Sequence, residues 1–373
     1  MKVLMTADTV GGVLAYAVQL TQALCGSDVE IVLATMGGPM QDARRGALLA
    51  RQNVRLHESN YALEWMEDPW DDVQAAGRWL MDLQEAERPD IIHLNGYAHG
   101  AWPWQAPVLI VGHSCVCSWY EAVRGEPAPK RWDSYRRATT AGLKAADVVV
   151  APSGPMLAAL NQHYGPLTNT RVIANARDPR RYAPARKQPF ILAAGRLWDE
   201  AKGLARLAAI APEVAWPVRL AGPAQHPDGG SISFDNVQML GSMSPAALAA
   251  EMARAAIYAL PARYEPFGLG ALEAGLSGCA LVLGDIPTLR EVWGDAALFV
   301  GDDDELRDAL HRLIEDADLR QEYARRALAR ASRYTPARLA DEYLSLYSQL
   351  VDHRNAPESP RTSTDLGGHQ VAP

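Results

Sequence analysis

Short apolar runs alternate with longer amphipathic stretches along nearly the whole chain, and the alternation starts twice. Apolar runs at 3–7, 30–35, 54–57, 90–94, 108–111, 147–151 and 171–174 read as strands. Between them, 14–24, 70–87 and 130–145 carry apolar residues at helical spacing. The pattern restarts with strands at 190–194, 218–221, 236–240, 257–261, 280–284 and 297–300. Helices there are expected at 204–211, 245–255, 269–277, 303–315, 319–332 and 337–350. Strands separated by helices cannot form tight hairpins, so they pair in parallel with right-handed crossovers. The break between the halves, 175–188, carries Pro179 and Pro184 with Arg177, Arg180, Arg181, Arg186 and Lys187, and reads as a linker. At roughly 100–200 residues per domain, 373 residues make about two domains. The boundaries expected are 1–175 and 190–335, then a helix at 336–352 and a disordered tail at 353–373.

Composition removes several function classes. Lys and Arg total 36 against 44 Asp and Glu, a net charge of −8, which argues against a general nucleic-acid binder. No apolar run nears the ~18–20 residues of a membrane helix, and Met1-Lys2 leads straight into a strand rather than a signal-peptide core. A cytoplasmic protein is expected. Cys25, Cys115, Cys117 and Cys279 include a C-x-C but no second pair to complete a zinc site, so small buried thiols are expected.

Two doubly wound sheets bring the carboxyl ends of their strands to a shared cleft, so chemistry belongs on the loops that follow strands. Four such loops stand out. Tyr264-Glu265-Pro266-Phe267-Gly268-Leu269-Gly270-Ala271-Leu272-Glu273-Ala274 leaves a strand and opens a helix. A helix N-terminus favours an anion by roughly 0.3–1 kcal/mol at exposed sites. Two carboxylates eight residues apart beside it suit the hydroxyls of a nucleotide sugar whose diphosphate sits between them. Gly195 through Gly203 holds Arg196 and Lys202, two cations able to neutralise a diphosphate. Gly11-Gly12 follows the first strand without completing G-x-G-x-x-G, which disfavours a dehydrogenase. His113 follows the strand at 108–111. The Asp302–Asp304 run lies in a late acidic turn, and no metal or cofactor is expected.

Together these motifs resemble the retaining glycosyltransferases of family 4, with the GT-B architecture of two Rossmann-like domains facing a central cleft. The resemblance spans about residues 1–350 and includes Arg171-Val172-Ile173 with Asn175, Pro287–Glu291, Gly294–Ala297 and Tyr343–Tyr347, the last on a C-terminal helix that crosses back to the first domain. It implies that Arg196 and Lys202 bind the donor diphosphate and that Glu273 binds the ribose. Glu265, with the backbone amides of Phe267, Gly268 and Leu269, would hold the donor sugar and distal phosphate. Gly11 and Gly12 would approach the donor from the first domain, and His113 would lie against the transferred sugar, bonding a hydroxyl or stabilising developing positive charge. The implied reaction is a same-face substitution with retention, from a nucleotide-diphosphate sugar (UDP above GDP or ADP) to a carbohydrate or glycolipid hydroxyl. Rival readings are an isomerase of the UDP-sugar 2-epimerase kind and a non-catalytic sugar-nucleotide binder. Two departures from the family pattern are Ala176, where glycine is common, and the six-residue spacing of Arg196 and Lys202. The segment 124–144, at +6 and −2, is a candidate contact for an anionic membrane or acceptor.

Overall fold

The computed structural model describes residues 1–40, 42–226 and 229–355. The last helix runs to Asn355, so the first three residues of the tail expected to be disordered are helical, and 356–373 lie outside the described residues. The first half runs β1 Lys2–Asp8, α1 Gly12–Ala23, β2 Glu30–Met36, α2 Asp42–Leu49, β3 Val54–Glu58, α3 Trp70–Glu87, β4 Ile91–Leu94, β5 Val108–Val111, α4 Val116–Arg124, α5 Asp133–Ala145, β6 Val148–Ala151, α6 Gly154–Tyr164 and β7 Thr170–Val172. The second runs β8 Gln188–Ala194, α7 Leu204–Ile210, β9 Val218–Ala221, β10 Gln238–Gly241, α8 Pro245–Arg254, β11 Ala255–Leu260, α9 Leu269–Leu276, β12 Ala280–Gly284, α10 Pro287–Trp293, β13 Leu298–Val300, α11 Asp303–Glu315, α12 Ala317–Ala331 and α13 Pro336–Asn355.

Both sheets are parallel. The first has the order β3-β2-β1-β4-β5-β6-β7 and the second β10-β9-β8-β11-β12-β13. In each, strand order reverses beside the half's first strand, between β1 and β4 and between β8 and β11. Ligands bind in the crevice at such switch points. The loops after β1, β8 and β11 are those carrying Gly11-Gly12, Arg196–Lys202 and Glu265. The central strands are fully buried on both faces, as in Val148–Ala151 and Ala280–Gly284, which explains their uninterrupted apolar runs.

The last helix changes halves. Ala327 and Ala331 of α12 pack in the second core, whereas Leu339, Tyr343, Leu346, Tyr347 and Leu350 of α13 pack with Val3, Met5, Leu14 and Leu20 of the first. The two crossings lie side by side, with the Arg177 N–H donating to the Tyr334 carbonyl (3.2 Å).

Four helices escape the apolar-spacing reading, α2, α4, α6 and α10, all of 7–11 residues. Two carry caps that make them possible at that length. The Cys115 thiol accepts from the Ser118 N–H at the start of α4, and the Ser153 hydroxyl accepts from the Met156 N–H at the start of α6. The helix expected at 130–145 begins at Asp133, after a 3-10 turn Lys130–Trp132. The cysteine expectation needs one correction: Cys115, Cys117 and Cys279 are buried free thiols, but Cys25 is exposed just after α1. Ala176 is buried and has no positive φ, so the turn there differs from a glycine turn and carries no such strain.

Candidate active site

Gly11 sits at φ +93°, a conformation that L side chains rarely adopt, and a Cβ there would lie 3.0 Å from Arg196 Nη1. The bare backbone thus lets a guanidinium of the second half reach the end of β1. Gly12 opens α1 facing Leu269, whose Cδ1 would be 3.7 Å from a Cβ. The loops after β1, β8 and β11 therefore meet across the cleft.

The loop after β8 folds onto the loop after β11 because Gly203 (φ +67°) approaches Pro261 so closely that a Cβ would be 2.1 Å from its carbonyl oxygen. The Arg263 N–H then donates to the Ala201 carbonyl (2.8 Å). The six-residue spacing of Arg196 and Lys202 is absorbed by a 3-10 turn Glu200–Lys202 capped by Asp199.

Three cations here each face a carboxylate. Arg196 Nη2 donates to Asp199 Oδ2 (2.6 Å), Lys202 Nζ to Glu265 Oε2 (2.8 Å) and Arg177 Nε to Glu273 Oε1 (2.6 Å). Burial raises the Asp199 carboxyl, but the charges of Arg196 and Lys202 and the hydrogen bonds from Arg196 and Ala201 outweigh it and hold Asp199 below the usual carboxylate range. The Arg196 guanidinium also lies 5.1 Å from the Trp198 ring centroid, while its Nε has no hydrogen-bond partner. An oriented arginine with an unused donor can take an anionic oxygen. Glu265 Oε1 accepts from the Gly268 N–H (3.1 Å), so this carboxylate caps the N-terminus of α9.

His113 stands on the first-half wall. Asn95 Nδ2 donates to the Thr6 carbonyl (2.7 Å), which leaves Asn95 Oδ1 to accept from His113 Nε2 (2.8 Å). The proton is thereby assigned to Nε2, and Nδ1 keeps a lone pair. Burial lowers the imidazole to a pKa of about 3, so it is neutral at physiological pH and offers no positive charge. A neutral imidazole with a lone pair at Nδ1 is compatible with either part of its implied role, accepting from a sugar hydroxyl or facing developing positive charge.

The sequence singled out His113, Arg196, Lys202, Glu265 and Glu273, and the structure brings the last four onto two touching loops and one helix of the second half. Sequence reasoning missed Arg177, counted only as one of several linker cations. It also missed Tyr264 and Ser153. The Tyr264 hydroxyl accepts from the Cys115 N–H (3.0 Å) and lies 2.9 Å from Ser118 Oγ, while Ser153 Oγ donates to the Pro266 carbonyl (2.8 Å). Both neighbours of Glu265 are thus anchored in the first half. No spacing rule finds such partners. Of the cations in 124–144, Arg124 pairs with Glu200 across the cleft and Arg136 with Asp133, whereas Lys130, Arg137 and Lys144, seven residues apart, are exposed. Among the described residues no three or more His, Cys, Asp or Glu are grouped to hold a metal, and no helix is long and apolar enough to cross a membrane.

Two doubly wound domains with a paired-cation, paired-carboxylate loop system at their switch points define a sugar-transferring enzyme of the GT-B class. Residues 10–181 match the model of Glycosyltransferase Family 4, and residues 188–316 that of Glycosyl transferases group 1. The chain belongs to glycosyltransferase family 4 and is a transferase. It is 26% identical over 373 residues, 88% of this chain and 92% of the relative, to alpha-maltose-1-phosphate synthase of Mycolicibacterium smegmatis. A segment covering 31% of the chain is 34% identical to D-inositol 3-phosphate glycosyltransferase of Stackebrandtia nassauensis, over 26% of that protein. Among solved structures it is similar to sucrose-phosphate synthase from Thermosynechococcus elongatus (TM-score 0.79, 18% identity, 95% of this chain and 100% of that one). It is also similar to Anabaena HepE in complex with UDP-glucose (TM-score 0.74, 18% identity, 94% and 100%).

Proposed function

We propose that this glycosyltransferase moves a sugar from a nucleotide-diphosphate sugar, a UDP-sugar first, to a hydroxyl of a carbohydrate or glycolipid acceptor, with retention and without a metal. The observation that carries the reading is Arg196, set against Gly11 of the opposite domain with Nε unused, beside the Lys202–Glu265 pair. HepE, of the same fold, binds UDP-glucose, which favours uridine among the bases.

The three ion pairs support the following division of roles. A bound diphosphate draws Lys202 from Glu265, and the freed Glu265 oxygen accepts from sugar hydroxyls. The N–H groups at the start of α9 and the Arg196 guanidinium then face the leaving phosphate, where charge develops as the glycosidic bond breaks. Glu273, oriented by Arg177, offers its carboxylate to the ribose diol. Neutral His113 accepts a sugar hydroxyl at Nδ1. The leaving phosphate oxygen takes the acceptor's proton, so the protein supplies position and charge rather than a nucleophile. The exposed Lys130, Arg137 and Lys144 would meet an anionic surface at the cytoplasmic face of a membrane.

A thermal-shift panel of UDP-, GDP- and ADP-sugars tests the donor. Stabilisation follows RT ln(1 + [L]/Kd), about 2.7 kcal/mol at a hundredfold excess over Kd, so the donor gives the largest shift. Absence of any shift beyond that of free sugars overturns the reading. Turnover requiring an acceptor, with the anomeric configuration of the product kept by NMR, separates transfer from epimerisation and from mere binding.

A further inference from the structure

A buried polar cluster connects α13 to the site, and the proposed chemistry does not use it. Tyr16 of α1, His93 of β4, and Tyr343 and Tyr347 of α13 are all 2% exposed or less. The Tyr16 hydroxyl donates to the Tyr343 hydroxyl (2.6 Å) and lies 3.4 Å from His93 Nε2, while His93 Nδ1 lies 2.6 Å from the Tyr347 hydroxyl. The Tyr16 ring meets the His113 imidazole edge-on, with centroids 4.5 Å apart at 63°. His113 is thus held from two sides, by Asn95 at Nε2 and by the Tyr16 ring.

We propose that Tyr343 and Tyr16 are positioning residues: the returning helix, through the Tyr343–Tyr16 hydrogen bond, holds the Tyr16 ring against His113 and so fixes the imidazole that meets the transferred sugar. The inference rests on the reading of His113 given above. That hydrogen bond ties the Tyr16 ring to α13. Without it, packing alone holds the ring against His113, and the ring is free to shift off the imidazole. Small misplacements of a positioned group cost large factors in rate.

The groups around His113 make this measurable by pH. Tyr16 faces it from α1, and His93 and Asn95 face it from β4 and its exit, with Tyr343 of α13 behind Tyr16. Burial keeps the imidazole neutral far below neutral pH. Once the Tyr16 cover shifts and water enters, its pKa climbs toward the ordinary 6.5. Protonation then removes the Nδ1 lone pair.

In Tyr343→Phe, kcat is expected to fall about tenfold, with donor KM within about twofold, and the acidic limb of kcat to move up toward pH 6. Tyr16→Phe should do the same, and adding Tyr343→Phe to it should change kcat no further, since the two act as one unit. Tyr347→Phe removes an equally buried hydrogen bond of the same helix, and there kcat and the pH profile should stay within about twofold of the native enzyme while Tm falls. Equal kcat and pH profiles in Tyr343→Phe and Tyr347→Phe, or additive losses in the double variant, overturn the proposal. His113→Ala separates the layers: normal turnover in that variant removes the role of His113 itself, whereas lost turnover there with an unaffected Tyr343→Phe refutes only the positioning chain.

Discussion

Arg177→Met isolates the pair that holds Glu273. The two side chains are 8% and 16% exposed and meet at 2.6 Å. Removing one partner leaves a carboxylate in a site with little water, a loss of about 3–5 kcal/mol. For a domain of this size each kcal/mol moves Tm by about 2–4 °C, so calorimetry at pH 7 should show a fall of about 6–20 °C. The Tyr182 hydroxyl, kept protonated by burial and by the Glu273 charge, is the neighbour able to take part of the load. Arg177→Met/Glu273→Gln removes both charges and should regain most of the lost Tm while donor KM stays raised. A fall below about 2 °C at pH 7 refutes the argument that this pair is electrostatically buried.

Four further outcomes follow from the same geometry. Arg196→Ala should lower kcat by about 10²–10³ in a steady-state transfer assay, the scale of a lost transition-state donor, and near-normal turnover would remove its role. Gly11→Ala places a Cβ at φ +93° against Arg196 Nη1 and should cost about 1–3 kcal/mol of stability, read by denaturant unfolding, with activity falling further than the folded fraction. Asp8, at the end of β1, has its carboxyl raised to about 7, chiefly by burial. Its folded pKa lies above the unfolded value, so its burial costs stability once pH passes through that window, and Asp8→Asn should raise Tm at pH 8 but not at pH 3. Vesicles rich in anionic lipid should co-sediment the protein at low salt and lose it at high salt, and a triple Lys130/Arg137/Lys144→Gln variant that binds equally well rules that face out.

The alternation of apolar runs with helical stretches was enough to place nearly every strand, because a strand buried on both faces writes its own apolar run into the chain. Parallel pairing followed from the spacing. The loops carrying Gly11, Arg196, Lys202 and Glu265 followed from pairing, since only the carboxyl ends of such strands face a cleft. The resemblance supplied the return of the last helix to the first domain. Short helices such as α4 and α6 were not legible, because seven to eleven residues give little periodicity and their starts depend on single caps, Cys115 and Ser153. Partner choice lay wholly beyond the sequence. Nothing local sets Arg177 apart from Arg180 or Arg181, yet only its side chain reaches Glu273, 96 residues on. The same holds for Tyr264 and Cys115, and for Tyr16 and Tyr343, which are 149 and 327 residues apart. The state of His113 was likewise a tertiary decision. Its protonation depends on how much water the Tyr16 ring excludes and which atom Asn95 presents, and both are set only when the two halves and the last helix close on one another.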